Sequence, residues 1–264
     1  YNGLLGYGIK NNSYALKRAH LCEDRLEMEN ELANLQLPTN FKLVITGGGR
    51  VAGGAIEVLE KTNIKRVSPD EFLNGNFRYP VFTQLDVEDY VSRDDNNSFD
   101  KSAFFNNPSG HNSTFMNYAK KANLYLACHY WDNRSPLIFS REDAKNPNWK
   151  ISVVADVSCD IDGPVASTIR PSTIADPLYG YDPFTEKEVD FFDQNSIGVM
   201  AVDNLPCELP KDASTEFGKM FIEHVLEPLT GNDPEDIIFR ASETMNGKLT
   251  PHFEHLQDYL EGKD

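Results

Sequence analysis

The chain alternates between two hydrophobic rhythms. Continuous apolar runs of strand length occur at "KLVIT" (42–46), "LYLACHY" (124–130), "ISVVADVS" (151–158) and "IGVMAVDNLP" (197–206), as expected of strands covered on both faces. Helical spacing separates them. Residues 51–61 put Val51, Ala55, Val58 and Leu59 on one face, and 212–229 forms a long amphipathic segment. Residues 14–34, rich in Leu, Ala, Glu and Lys without Gly or Pro, predict a helix, and Pro38 ends that segment. "TFMNYAKKA" (114–122) and "SREDAKN" (140–146) predict shorter helices, the second with Ser140 as N-cap and Asp143 in its first turn. "IKRVS" (64–68) reads as a short second strand, with Pro69 starting a break. The polar, asparagine-rich stretch 86–113 predicts loop with one short helix, and 163–197 an irregular excursion from the sheet. Strands alternating with helices predict an α/β fold of the Rossmann type, a doubly wound and mostly parallel sheet.

Charge narrows the partners. With 41 acidic against 25 basic residues the formal net charge is −16, a field that repels nucleic acid and anionic membrane surfaces. No apolar run approaches the roughly 20 residues of a membrane span. Cys22, Cys128, Cys159 and Cys207 follow no zinc spacing, so no metal is expected and reduced thiols in a cytoplasm are the reading. The opening "YNGLLGYGIK" has neither an initiator Met nor a signal-peptide pattern and reads as the middle of a protein.

The chemistry-bearing motif is "GGGRVAGG", set between a predicted strand and a predicted helix. Gly47, Gly49 and Ala52 fit G-x-G-x-x-[GA]. Gly47 permits the tight turn, Gly49 lets backbone N–H groups approach a diphosphate, and Ala52 and Gly54 let the helix pack close. The helix N-terminus supplies unpaired donors and partial positive charge. At the tip of the second strand, where an acid commonly holds the ribose, the sequence has Ser68, followed by Asp70 and Glu71. Arg50 and Arg66 stand near enough in sequence to meet a 2′-phosphate, so NAD and NADP both remain open.

Three further strand ends are polar. His129, beside Tyr130 and Trp131, is an acid–base candidate or a satisfied strand-end histidine. Asp156, Asp160 and Asp162 alternate as hard-cation ligands do, but a hydrogen-bonded loop explains them better. Asp203, before Asn204 and Leu205, is a ribose or amide partner or the cap of the next helix.

Four segments, "VITGGGRVAGGA", "YLACHYWDNRSPLIFSREDA", "VVADVSCDIDGPVASTIRPSTIADPLYGYDP" and "GVMAVDNLPCELPKDASTEFGKMF", together resemble lysine–ketoglutarate reductase, including the reductase half of bifunctional aminoadipic semialdehyde synthase. The last three also resemble, more loosely, the lysine-forming saccharopine dehydrogenases. The resemblance implies an alanine dehydrogenase-like architecture. Residues 1–37 would be an interdomain helix and part of a second domain, 38–206 the dinucleotide-binding domain, and 207–264 a helix and tail returning to the second domain. It implies an NAD(P)-dependent oxidoreductase interconverting saccharopine with lysine and 2-oxoglutarate, in a possible homo-oligomer. Coenzyme positions carry over to Gly47, Gly49, Arg50, Val51, Ser68, Asp203, Asn204 and Leu205, and Asp156 and Ser158 match a motif beside the substrate cleft. The family's catalytic lysine and histidine fall ahead of residue 1. The rival readings are another amino-acid dehydrogenase, such as an alanine dehydrogenase-like enzyme, and a nucleotide-binding module without catalysis.

Overall fold

The computed structural model describes residues 1–95 and 97–263. Asn96, inside the predicted 86–113 loop, and Asp264, at the end of the predicted tail, lie outside the described residues. The chain divides into two compact units, Tyr1–Leu209 and Pro210–Asp264.

The first unit runs α1 (Asn2–Lys10), α2 (Arg25–Glu31), β1 (Lys42–Thr46), α3 (Arg50–Leu59), β2 (Lys65–Arg66), α4 (Pro69–Asn74), β3 (Val81–Leu85), α5 (Val87–Tyr90), β4 (Val91–Arg93), α6 (Lys101–Asn106), β5 (His111–Ser113), α7 (Met116–Ala119), β6 (Leu124–Ala127), α8 (Arg141–Ala144), β7 (Val153–Asp156), β8 (Leu178–Asp182), β9 (Lys187–Val189) and β10 (Ile197–Met200). Eight strands make one sheet in the order β2-β3-β1-β6-β7-β10-β8-β9. The first six of these are mutually parallel, and β8 and β9 are antiparallel. The fold is therefore α/β of the Rossmann type, with a mostly parallel sheet. Chain order reverses direction between β1 and β6, the switch point at which such sheets open a crevice.

Alternation along the strands sorts the core into two layers. Val44, Tyr125, Val154 and Val199 face one side with Phe72 and Phe115. Leu43, Ile45, Leu124, Leu126, Val153 and Ala155 face the other with Ile56 and Leu59 of α3 and Leu4 and Leu5 of α1. From residues 1–37, Leu16 and Leu32 pack in this second layer as well. Helix α1 comes this close because it is glycine-rich: a Cβ on Gly3 would lie 2.9 Å from the Ala155 Cβ.

Several elements differ from the sequence expectation. The single helix predicted over 14–34 is α2 flanked by two short 3₁₀ turns, with the Asp24 side chain accepting the Glu27 N–H as its cap. The break expected at Pro69 is helix α4. Ser68 and Glu71 form a reciprocal capping box with the proline in the first turn, where its missing N–H costs nothing. Strand β3 was not predicted, nor was the β8–β9 hairpin within the 163–197 excursion. The predicted 212–229 helix is α9 (Pro210–His224) followed by α10 (Leu226–Thr230). The second unit continues with α11 (Ile237–Ala241), the antiparallel ribbon β11–β12 (Thr244–Met245, Lys248–Leu249) and α12 (Gln257–Leu260).

Candidate functional site

Register aligns the ends of three strands. Thr46 sits opposite Leu85 of β3 and Ala127 of β6, so Gly47, Asp86 and Cys128 follow at one level. Ala127 pairs with Asp156 of β7, which brings the next loop alongside. Over these ends lies a cavity of ≈ 840 Å³ whose walls include Gly47, Gly48, Gly49, Arg50 and Val51. That volume is in the range of small-molecule sites.

The glycines have different reasons to be glycine. Gly47 has φ +115°, and a Cβ there would lie 2.4 Å from the Cys128 carbonyl oxygen. The turn itself demands it. Its amide donates to the Leu85 carbonyl (3.0 Å) and its carbonyl accepts from Gln84 Nε2 (2.8 Å), which ties the turn to β3. Gly49 is in extended conformation, and a Cβ there would meet nothing within 4 Å. Nothing in the fold requires glycine at 49; the space it leaves belongs to the cavity. Gly49 is also the N-cap of α3, and no side chain caps that helix. Its first-turn donors therefore open onto the cavity, a ready anion seat. Ala52 packs in the core as expected, whereas Gly54 faces open space and does nothing for helix–sheet packing.

The acid missing from the second strand appears on the third. Because β3, not β2, lies beside β1, the position next to the glycine turn is Asp86. Its carboxylate would be 3.6 Å from a Cβ on Gly48. One Asp86 oxygen accepts the Val87 N–H at 2.7 Å and the other pairs with Lys101. Burial opposes the charge, but these donors outweigh it and hold the carboxyl below its usual range. Ser68 instead caps α4 at the exposed sheet edge, away from the cavity. Arg66 donates to Gln84 (2.6 Å) and is likewise outside it. Tyr90, Val91 and Phe104, from the segment after β3, give the cavity an apolar wall. Sequence reading missed Asp86, Lys101 and this wall. The available signal was "VFTQLD", a short apolar run ended by an acid.

The Asp156 loop is built differently. Asp156 is fully buried, accepting from Ser158 Oγ (2.6 Å), the Cys159 N–H (3.1 Å) and Thr168 Oγ1 (2.7 Å). Ser158 and Asp160 reach the cavity wall, and Asp156 does not. Asp162 pairs with Arg141. Among the described residues no three His, Cys, Asp or Glu side chains are gathered to hold a metal. Asp203 and Asn204 are exposed beyond β10, Leu205 packs into the core, and none of the three lines the cavity. His129 does line it: Nδ1 is 2.8 Å from Thr46 Oγ1, and burial pushes the ring down to about 4, with the Asp156 charge working the other way.

No protein-family model matches the chain. It is similar to the alpha-aminoadipic semialdehyde synthase of Arabidopsis thaliana, 25% identical over 259 residues that cover 88% of this chain and 24% of that protein. The mitochondrial alpha-aminoadipic semialdehyde synthases of Mus musculus and Rattus norvegicus are each 25% identical over 252 residues, covering 84% of this chain and 27% of theirs. The resemblance carried by the four motifs thus extends along most of the chain. The chain spans about a quarter of the length of these curated relatives.

Proposed function

We propose that the first unit is the coenzyme-binding part of an NAD(P)-dependent oxidoreductase that interconverts saccharopine with lysine and 2-oxoglutarate. The observation that carries this reading is the open position at Gly49. It faces a cavity, heads a helix with no side-chain cap, and stands one strand away from Asp86. A dinucleotide diphosphate would lie over the first turn of α3, and Asp86 would accept hydrogen bonds from a ribose. A carboxylate there opposes a 2′-phosphate, so NADH is favoured over NADPH. The apolar wall of Tyr90, Val91 and Phe104 suits an adenine ring. Arg50 and Val51, at the same turn, would contribute backbone donors.

When bound, the nicotinamide gives or takes a hydride; the residues described here orient it and keep it over the strand ends. The substrates are proposed from the similarity to alpha-aminoadipic semialdehyde synthases. Asp203, Asn204 and Leu205 remain a proposed coenzyme contact on the motif resemblance alone. All four cysteines are free, which fits a reducing compartment. That is the cytoplasm on the sequence reading and the mitochondrion by the names of the mammalian relatives. No helix among the described residues is long and apolar enough to cross a membrane.

Calorimetric titration of the chain with NADH and NADPH, beside a lysine- and 2-oxoglutarate-dependent NADH oxidation assay of the full-length protein, tests the reading. Saturable binding with NADH preferred, and turnover in the longer protein, is the expected result. Binding of neither coenzyme contradicts it.

A further inference from the structure

Asp86 does not face the cavity alone. Lys101, the first residue of α6, lines the same cavity and pairs its ammonium with Asp86 Oδ2. Among the described residues that carboxylate is the ammonium's one partner, so two of its three hydrogens are left for water or a ligand. The Lys101 side chain is 44% exposed and that of Asp86 42%, so neither charge is sealed off from an incoming ligand.

The two charges differ in freedom. Asp86 is fixed at the tip of β3: Oδ1 accepts the Val87 N–H at 2.7 Å, and the residue joins Asp89 in a reciprocal capping box that starts α5. Lys101 hangs on a flexible four-carbon stem with no second anchor for its ammonium. A ligand that needs a cation can draw or share the ammonium, whereas the carboxylate cannot turn away.

Its place along the ligand follows from the neighbours. Phe104 lies three residues on in α6, on the same helical face as Lys101, and belongs to the apolar wall that suits adenine. Asp86 is the proposed ribose partner. The ammonium between them stands at the adenosine ribose, where NADP carries its extra phosphate and NAD a hydroxyl. Arg50, the other Lys or Arg in the cavity wall, opens α3 at the diphosphate seat.

We propose that Lys101 is the specificity-determining residue of the coenzyme site, its ammonium binding the 2′-phosphate of NADPH, so that Asp86 disfavours that coenzyme without excluding it. This rests on the coenzyme reading above. With NADH the ammonium stays on Asp86, and the ribose hydroxyls donate to the carboxylate. With NADPH it bridges carboxylate and phosphate, offsetting the repulsion that Asp86 alone would impose.

The test reads affinity ratios. NADH and NADPH, and separately AMP and adenosine 2′,5′-bisphosphate, are titrated at one ionic strength into wild type, Lys101→Met, Lys101→Arg and Arg50→Met. Wild type is expected to bind all four, with NADH ahead of NADPH. In Lys101→Met the NADPH-to-NADH affinity ratio should fall about tenfold, and the bisphosphate-to-AMP ratio should fall with it. Lys101→Arg should keep both ratios, because charge and donors remain. Arg50→Met should keep them too, whatever it does to affinity as a whole. Any variant that still binds NADH is folded, which separates the ratio from a loss of structure. Equal loss of both coenzymes in Lys101→Met would mean that the ammonium serves the diphosphate or the fold. That result, unchanged ratios, a fall confined to the dinucleotides, or a fall in Arg50→Met in place of Lys101→Met would each overturn the proposal. So would a wild type that binds NADH and shows no binding of NADPH. Failure of wild type to bind any of the four would overturn the coenzyme reading itself.

Discussion

The loops after β1 and β7 occupy equivalent places, each at the carboxyl end of a central parallel strand, yet they dispose of their polar groups in opposite ways. After β7 the Asp156 carboxylate is fully buried and accepts three hydrogen bonds from its own loop and from Thr168. After β1 the chain exposes Gly48, Gly49, Arg50 and Val51 and starts a helix without a side-chain cap. A loop that satisfies itself is part of the scaffold. One that leaves donors facing a cavity has them free for a ligand, as the coenzyme proposal requires. Polar sequence at a strand end is therefore no measure of function; what counts is where its donors and acceptors end.

This contrast makes stability and binding separable. The largest expected effect is Asp156→Ala, which strands three donors around a new cavity and should cost about 3–5 kcal/mol. Thermal unfolding would read it as a fall of about 10 °C, and a fall under 2 °C would break the distinction between the loops. Gly47→Ala comes next, forcing a Cβ against the Cys128 carbonyl at positive φ. A loss of about 2–3 kcal/mol is expected in denaturant titration.

His129, hydrogen-bonded to Thr46 at the end of β1, gives a pH signature. Its folded-state value is depressed to about 4 from 6.5, so between those values the unfolded chain binds the extra proton. The contribution is fully present above about pH 6.5 and is lost as pH falls toward 4, up to about 3 kcal/mol in all. Stability curves of wild type and His129→Phe should diverge across that window, and parallel curves would contradict the assignment. A smaller effect is expected of Asp86→Ser. It removes the charge opposing a 2′-phosphate and should shift the NADH-to-NADPH affinity ratio toward NADPH by about tenfold, or about 1.4 kcal/mol.

Much of the central sheet was legible in the sequence, because β1, β6, β7 and β10 are buried on both faces and read as unbroken apolar runs. The glycine turn was legible for the same reason, being framed by a strand and a helix. The proposed ribose side was not. The sequence expectation placed the neighbouring strand tip at Ser68, about 20 residues after the turn, but β2 is an exposed two-residue edge strand. The inner neighbour is β3, whose Thr83 and Gln84 broke its apolar run and hid Asp86. Helix α1 was invisible because glycine lowers helix propensity, whereas here Gly3 is needed for contact with the sheet. Both misses have one cause: pairing order and close approach are tertiary facts that local patterns do not carry.

Gly49→Asp tests the central claim most directly, because it should move stability and binding in opposite directions. Asp is a better N-cap than Gly and suits the helix dipole, and the Gly49 backbone is already extended. Melting temperature and NADH affinity measured on the same preparation are expected to show an unchanged or slightly raised melting point and no detectable binding. A clear fall in melting point, or NADH binding equal to wild type, would contradict the claim that this turn is kept open for a dinucleotide.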